Sequence, residues 1–160
     1  MSKLQALSDH LAGHFSQLGI RRENFDSFQE NGELQPGGGS ETELGWHLAD
    51  WKYRAALVFE RIPSNSAGLL LALVQAWLSD HDPEREDAGL DAPQGQVDMN
   101  DGNKFADLEL TLDFMDPIYL VEAEDGPITW QGRQYEFGDY DLWVAEQGDV
   151  THGADTDLPA

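Results

Sequence analysis

The chain has 160 residues, no cysteine, and a formal net charge of −22 from 31 acidic and 9 basic side chains. Without cysteine it forms no disulfide and no thiolate-ligated zinc site, and so few bases argue against nucleic-acid binding, which depends on cations neutralising phosphates. An apolar share of 40% and an aromatic share of 10% are too rich for a disordered acidic chain, so the composition predicts one folded, strongly acidic body.

The first predicted element is an amphipathic helix over residues 3–18. Its apolar side chains recur at spacings of three and four, and Gly19 stands where a C-cap is expected. The region lacks the apolar core of a secretory signal, so we expect the protein not to be exported. The residues of the apolar face are Leu4, Leu7, Leu11, Phe15 and Leu18.

A weakly patterned extended segment follows and runs into Pro36 and three glycines. Glycine adds backbone freedom and proline ends regular structure. Residues 37–40 are therefore predicted to form a flexible Gly-rich loop.

The clearest strand lies between residues 41 and 62, where the pattern has a period of two. Side chains from Trp51 to Phe59 alternate with a second set that contains Lys52 and Arg54. These two bases share one face of the strand because strand side chains repeat every second residue. This basic stripe, Lys52 and Arg54, is the candidate contact for an acidic neighbouring subunit or partner.

An apolar segment, SAGLLLALVQAWLSDHD, occupies residues 66–82. Its apolar part is too short to span a membrane, which takes roughly 20 residues. The segment instead predicts a core helix that ends before Pro83, with Leu69, Leu73 and Trp77 facing the sheet.

The rest of the chain reads as short antiparallel strands joined by turns, at 97–100, 106–114, 118–122, 128–130, 135–137 and 140–145. The last residues, 148–160, are predicted to be a flexible acidic tail. The sum is an α+β fold: a single domain over residues 1–147, with two helices packed on one face of an antiparallel or mixed sheet.

No motif in the sequence favours catalysis or a cofactor. His10 and His14 have the i, i+4 spacing of a metal pair, but no third ligand is marked, so solvated helix histidines are the preferred interpretation. Residues 98–109 resemble a calcium loop with its glycine one place early, and a hairpin explains the same residues better. We therefore predict a protein that is not an enzyme and holds no metal.

Four segments together carry a resemblance to a known family. In order, they are WKYRAALVFE, LLLALVQAWLSDHDP, QVDMNDGNKFADLELTL and a later EDG turn. Their order and spacing, over about residues 44–130, resemble the tail completion protein R (GpR) family of contractile-tailed, peduovirus-like phages and prophages.

The resemblance implies a tail-terminator-like subunit that forms a six-fold ring at the head-proximal end of the tail. Its partners would be the tail tube and sheath proteins and the head-tail connector or neck proteins, with assembly in the host cytoplasm. DNA would pass through the lumen without specific binding, because the acidic wall repels it. The alternatives are another neck or tail adaptor protein, or an acidic DNA mimic that occupies a nucleic-acid-binding protein.

Overall fold

The computed structural model describes residues 1–139 and confirms an α+β fold. The predicted strand at 140–145 and the predicted acidic tail at 148–160 lie outside the described residues. The helices are α1 (Lys3–Ala12), α2 (Phe15–Leu18) and α3 (Ala67–His81). The strands are β1 (Phe25–Thr42), β2 (Gly45–Pro63), β3 (Gln94–Asn100), β4 (Phe105–Glu122), β5 (Ile128–Trp130) and β6 (Arg133–Phe137).

The six strands form one sheet in the order β1-β2-β4-β6-β5, and β3 pairs with β4 off this path. Three pairs are antiparallel: β3 with β4, β4 with β6, and β5 with β6. Val97 lies opposite Leu108, and Met99 lies opposite Ala106. Because directly opposite residues of an antiparallel pair share a face, Val97 and Met99 point to the same side of the sheet as Leu108 and Ala106.

The chain divides into two compact units that interleave along the sequence. The helical unit comprises residues 3–32 and 53–114, and the strand unit comprises residues 1–2, 33–52 and 115 onward. The three long strands β1, β2 and β4 contribute residues to both. The single domain over residues 1–147 stays a prediction.

The core of the helical unit lies between its helices and one face of its strands. The Leu4 amide donates to the Tyr53 hydroxyl at 3.3 Å, and the rings of Trp77 and Phe114 meet edge to face with centroids 6.4 Å apart. Phe15 packs edge to face on Phe59. These contacts place α1, α2 and α3 on the face of β2 and β4 that carries Tyr53, Phe59 and Phe114.

The predicted helix over residues 3–18 is interrupted at Gly13. A glycine inside a helix costs roughly 1 kcal/mol relative to alanine because it has more backbone freedom to lose. After Ala12 the chain forms a tight turn, in which the His14 amide donates to the Leu11 carbonyl, and α2 begins at Phe15. The predicted apolar face is nevertheless buried throughout, and Gly19 caps α2 with φ of 73°.

The orientation predicted for α3 is partly wrong. Trp77 is buried, as expected, but Leu69 is 44% exposed and Leu73 is only half-buried. The residues that face the core are Leu70, Val74, Trp77 and Leu78. Since the helix is apolar on both sides from Ala67 to Trp77, hydrophobic spacing alone could not choose between the two faces.

The predicted loop at 37–40 is wrong, because these residues lie inside β1. β1 is the outermost strand beside β2, and an edge strand tolerates Pro36, which has no N–H to donate. Gly38 and Gly39 adopt φ of 78° and 71°, a conformation that favours glycine. A Cβ at Gly38 would lie 2.8 Å from the His47 carbonyl oxygen, so the glycine permits close approach of β2.

Candidate interaction surfaces

The candidate metal sites do not assemble in the described part of the chain. Within residues 1–139, no group of three or more histidine, aspartate or glutamate side chains could hold a metal ion. Residues 98–109 form the β3–β4 hairpin, where Asp98 lies opposite Asp107. The hairpin geometry therefore replaces the loop that calcium would require.

The two N-terminal histidines are close to each other. The rings of His10 and His14 lie 5.0 Å apart, edge to face. Burial lowers the pKa of His10, and the positive charges of His14 and then His81 lower it further. Protonation of His10 is therefore less favourable than protonation of an exposed histidine.

Two hollows on the described residues are open and polar. One, of about 320 Å³, lies in the strand unit between Glu122–Glu124 and the Arg133–Gln134 segment. The other, of about 180 Å³, lies on the polar sheet face of the helical unit and is lined by Glu60, Asp98, Asp107 and Glu109 among others. Neither has the apolar lining with convergent polar groups that a small-molecule site shows.

The basic stripe is split between a half-buried lysine and an exposed arginine. Lys52 and Arg54 lie two residues apart in β2, and Arg54 donates from Nε to Asp113 of the same chain at 3.2 Å. The Arg54 side chain is about half exposed and the Asp113 side chain is mostly buried. Contact of this stripe with a neighbouring subunit stays a prediction.

The first candidate interface is the outward side of α3. Four apolar side chains, at spacings of three and four, lie away from the core: Leu69, Ala72, Leu73 and Ala76. We name them the α3 outer face. No charged residue occurs from Ala67 to Ser79, although a quarter of the whole chain is charged. A helix that is apolar all round is normally buried on all sides, so this face fits a contact with another surface.

The second candidate interface is on β3. Val97 is 47% exposed and Met99 is 53% exposed, although their partners Leu108 and Ala106 are buried. In the described residues β3 pairs only with β4, so its other edge faces no strand. We name Val97 and Met99 the β3 apolar strip. It continues the core face, and no helix within residues 1–139 covers it.

The strand unit has its own aromatic cluster. Trp46 packs edge to face on Trp130 with centroids 5.6 Å apart, and Trp130 packs on Tyr135. His47 lies beside Tyr119 and bonds to Asp50 at 2.8 Å. Leu34 and Phe137 are each 58% exposed, so this unit also presents apolar side chains to its surroundings.

The α3 outer face and the β3 apolar strip were missed by the sequence interpretation. The signal for the first was present, since a 13-residue run without charge in an acidic chain gives a helix apolar on both sides. For the second, the strand predicted at 97–100 contains Val97 and Met99, but a local pattern could not show that no helix of the described residues covers them.

Comparison with known proteins agrees with the resemblance seen in the sequence. The family model described as P2 phage tail completion protein R (GpR) matches residues 1–139. The chain belongs to this family. A protein of Haemophilus phage HP1 (strain HP1c1), described as an uncharacterized 19.2 kDa protein in the rep-hol intergenic region, is 30% identical over 129 residues. The match covers 79% of this chain and 77% of the phage HP1 protein.

Membership of the GpR family confirms that the chain is a phage tail completion protein, a structural component of the tail and not an enzyme. No solved structure matches the chain. Within the described residues, no helix is long and apolar enough to cross a membrane.

Proposed function

We propose that this GpR-family protein terminates the tail. Six copies form a ring that caps the head-proximal end of the tube and sheath of a contractile tail and offers a docking face to the filled head. The observation that carries the proposal is the family match over residues 1–139, which supports a role in completing the tail. The ring assembles in the host cytoplasm and remains in the virion.

The surface of the helical unit is compatible with a ring. A closed ring of identical copies needs two different contact faces on each copy, because each subunit meets its neighbours head to tail. The α3 outer face and the β3 apolar strip are two different apolar surfaces on one unit. Such uncovered surfaces on a soluble chain are typical of protein contacts.

The charge of the chain is compatible with DNA passage. Each copy carries −22, so a ring brings together a large negative charge. Any carboxylates that line the lumen repel phosphates and keep passing DNA from adhering. This negative charge also favours the proposed non-specific passage over sequence-specific DNA binding.

Negative-stain microscopy of particles produced without this chain tests the proposal. Tails of uncontrolled length support termination, and tails of normal length that lack heads support head joining. Particles of normal appearance overturn both. Expression of the wild-type chain in trans is the control, and it should restore finished particles.

A neck or tail adaptor is the remaining structural alternative. Gold-labelled antibodies on purified particles distinguish the two by position. Label at the head-proximal end of free, headless tails supports the terminator, whereas label on tail-free heads supports an adaptor that joins the head first.

A further inference from the structure

We propose that neighbouring copies of this chain join by seating the α3 outer face of one copy on the β3 apolar strip of the next. The inference deepens the proposed function and rests on its ring of identical copies. It assigns a specific donor surface and a specific acceptor surface to the subunit contact.

The acceptor surface is a part of the core face that no other element of the described chain covers. Val97 and Met99 lie on the side of the sheet where Trp77 and Phe15 cover Phe114 and Phe59. Their exposures of 47% and 53% show that this cover does not extend over β3. A helix with an apolar side is the element that fits an open sheet face in an α+β fold.

The donor surface is a helix face of the required kind. The α3 outer face has two leucines and two alanines along two turns, and the alanines leave room for close approach. Leu69 is 44% exposed and forms one continuous apolar patch with the other three side chains of this face. One contact between copies covers both apolar surfaces at once.

Charge restricts where two copies can meet. Two chains that each carry −22 repel one another over most of their surfaces. The polar face of the sheet, with Glu60, Asp98, Asp107 and Glu109, is a clear example. The α3 outer face and the β3 apolar strip contain no charged side chain, so copies can meet there without opposing carboxylates.

Charge insertion tests each surface in the full-length chain. Leu69→Asp and Met99→Asp should each weaken self-association by about tenfold or more in sedimentation velocity, because a carboxylate in an apolar contact is desolvated without a partner. Leu71→Asp is the matched control for α3, since Leu71 is 42% exposed but lies outside the α3 outer face. Gln96→Asp is the control for β3, on the opposite face of that strand.

Mixing the two variants identifies the pairing. The Leu69→Asp chain keeps an intact β3 apolar strip, and the Met99→Asp chain keeps an intact α3 outer face. The mixture should therefore form a heterodimer with one copy of each. It should not grow further, because the other two surfaces carry the inserted charges. A mixture that stays monomeric overturns the inference. So does a Met99→Asp chain that assembles like the wild type, which indicates that α3 pairs with α3 or with another partner.

Disulfide capture gives a second readout that tolerates weak folding defects, because the natural chain has no cysteine. A chain with Ala72→Cys mixed with a chain with Val97→Cys should give a cross-linked heterodimer. The yield of this heterodimer should be much lower when Gln96→Cys is used in place of Val97→Cys. Equal cross-linking from both β3 positions contradicts the proposed face.

Three outcomes separate this inference from the proposed function. A wild-type chain that remains monomeric, alone and with tail tubes added, overturns the ring and this contact together. A ring that persists with Leu69→Asp overturns only this contact. If Leu69→Asp lowers the unfolding free energy without changing sedimentation, the chain itself covers its α3 outer face and the inference is again wrong.

Discussion

Lys3, at the start of α1, donates a hydrogen bond from Nζ to the carboxylate of Asp82, 2.9 Å away, directly after α3. Arg85 donates from Nη1 to the other oxygen of the same carboxylate at 2.8 Å. The three side chains are mostly buried, and the Asp82 side chain is only 6% exposed. One carboxylate therefore joins the beginning of the first helix, the end of the third and the turn that follows it.

Removal of this carboxylate should be strongly destabilising. Asp82→Ala removes the buried carboxylate that Lys3 and Arg85 both contact, and breaking a buried ion pair in this way typically costs about 3–5 kcal/mol. Denaturant unfolding measures the loss. Asp80→Ala, two residues earlier and exposed, is the control and should change stability by less than about 0.5 kcal/mol. Equal effects of the two substitutions contradict this interpretation of the ion pair.

The two faces of α3 should respond differently to truncation. Trp77→Ala removes a buried ring that packs edge to face on Phe114, at an expected cost of about 3–5 kcal/mol. Leu69→Ala, on the exposed side, should cost less than about 1 kcal/mol when measured where the chain is monomeric. A near-zero effect of Trp77→Ala in denaturant unfolding is incompatible with its place in the core.

The local patterns of the sequence predicted most of the elements but not their partners. Period two located the buried residues of β2 from Tyr53 to Phe59, and the spacing of leucines located the buried face of α1. The link between Lys3 and Asp82 spans 79 positions, so no local pattern contains it. The same limit applies to Leu69 and Met99, because their exposure depends on which distant elements of the fold pack against them.

The glycine segment illustrates a second limit. Composition favoured a loop at 37–40, yet the cross-strand approach of Gly38 to His47 makes the segment part of a strand. The composition of a segment indicates how much backbone freedom that segment has in isolation. It does not indicate whether another strand pairs with the segment in the folded chain.

Adjacent glycines in β1 should therefore differ in tolerance. Gly38→Ala places a Cβ at a positive φ and 2.8 Å from the His47 carbonyl oxygen, which should cost about 1–3 kcal/mol. Gly37→Ala has open space around its Cβ and should be neutral or slightly stabilising by about 0.4–1 kcal/mol. Amide hydrogen exchange of residues 45–52, with denaturant unfolding, measures both. If the segment were an unstructured loop in solution, the two alanines would have the same small effect.

The basic stripe should matter more for assembly than for stability. Arg54 is about half exposed, so Arg54→Gln removes a pair with Asp113 worth about 0.2–1 kcal/mol. If Lys52 and Arg54 face an acidic neighbour, Lys52→Gln and Arg54→Gln should weaken ring formation, and more so at low salt. Arg133→Gln, which loses an exposed pair with Glu122, is the control. If both variants assemble normally, Lys52 and Arg54 do not contribute to the contact with a neighbouring subunit.

The histidine cluster should make the fold sensitive to mild acid. Because burial, His14 and His81 lower the pKa of His10, the folded chain binds a proton there less readily than the unfolded chain, whose histidine pKa is about 6.5. As the pH falls through and below that value, the unfolded state gains the proton first, so stability decreases; it recovers as the pH rises. The difference in unfolding free energy between about pH 7.5 and pH 5.5 should therefore be larger for the wild type than for His10→Gln. His47→Gln is the control, because His47 belongs to the strand unit and lies outside this cluster. An unchanged pH dependence in His10→Gln would show that His10 titrates in the folded chain as it does in the unfolded one.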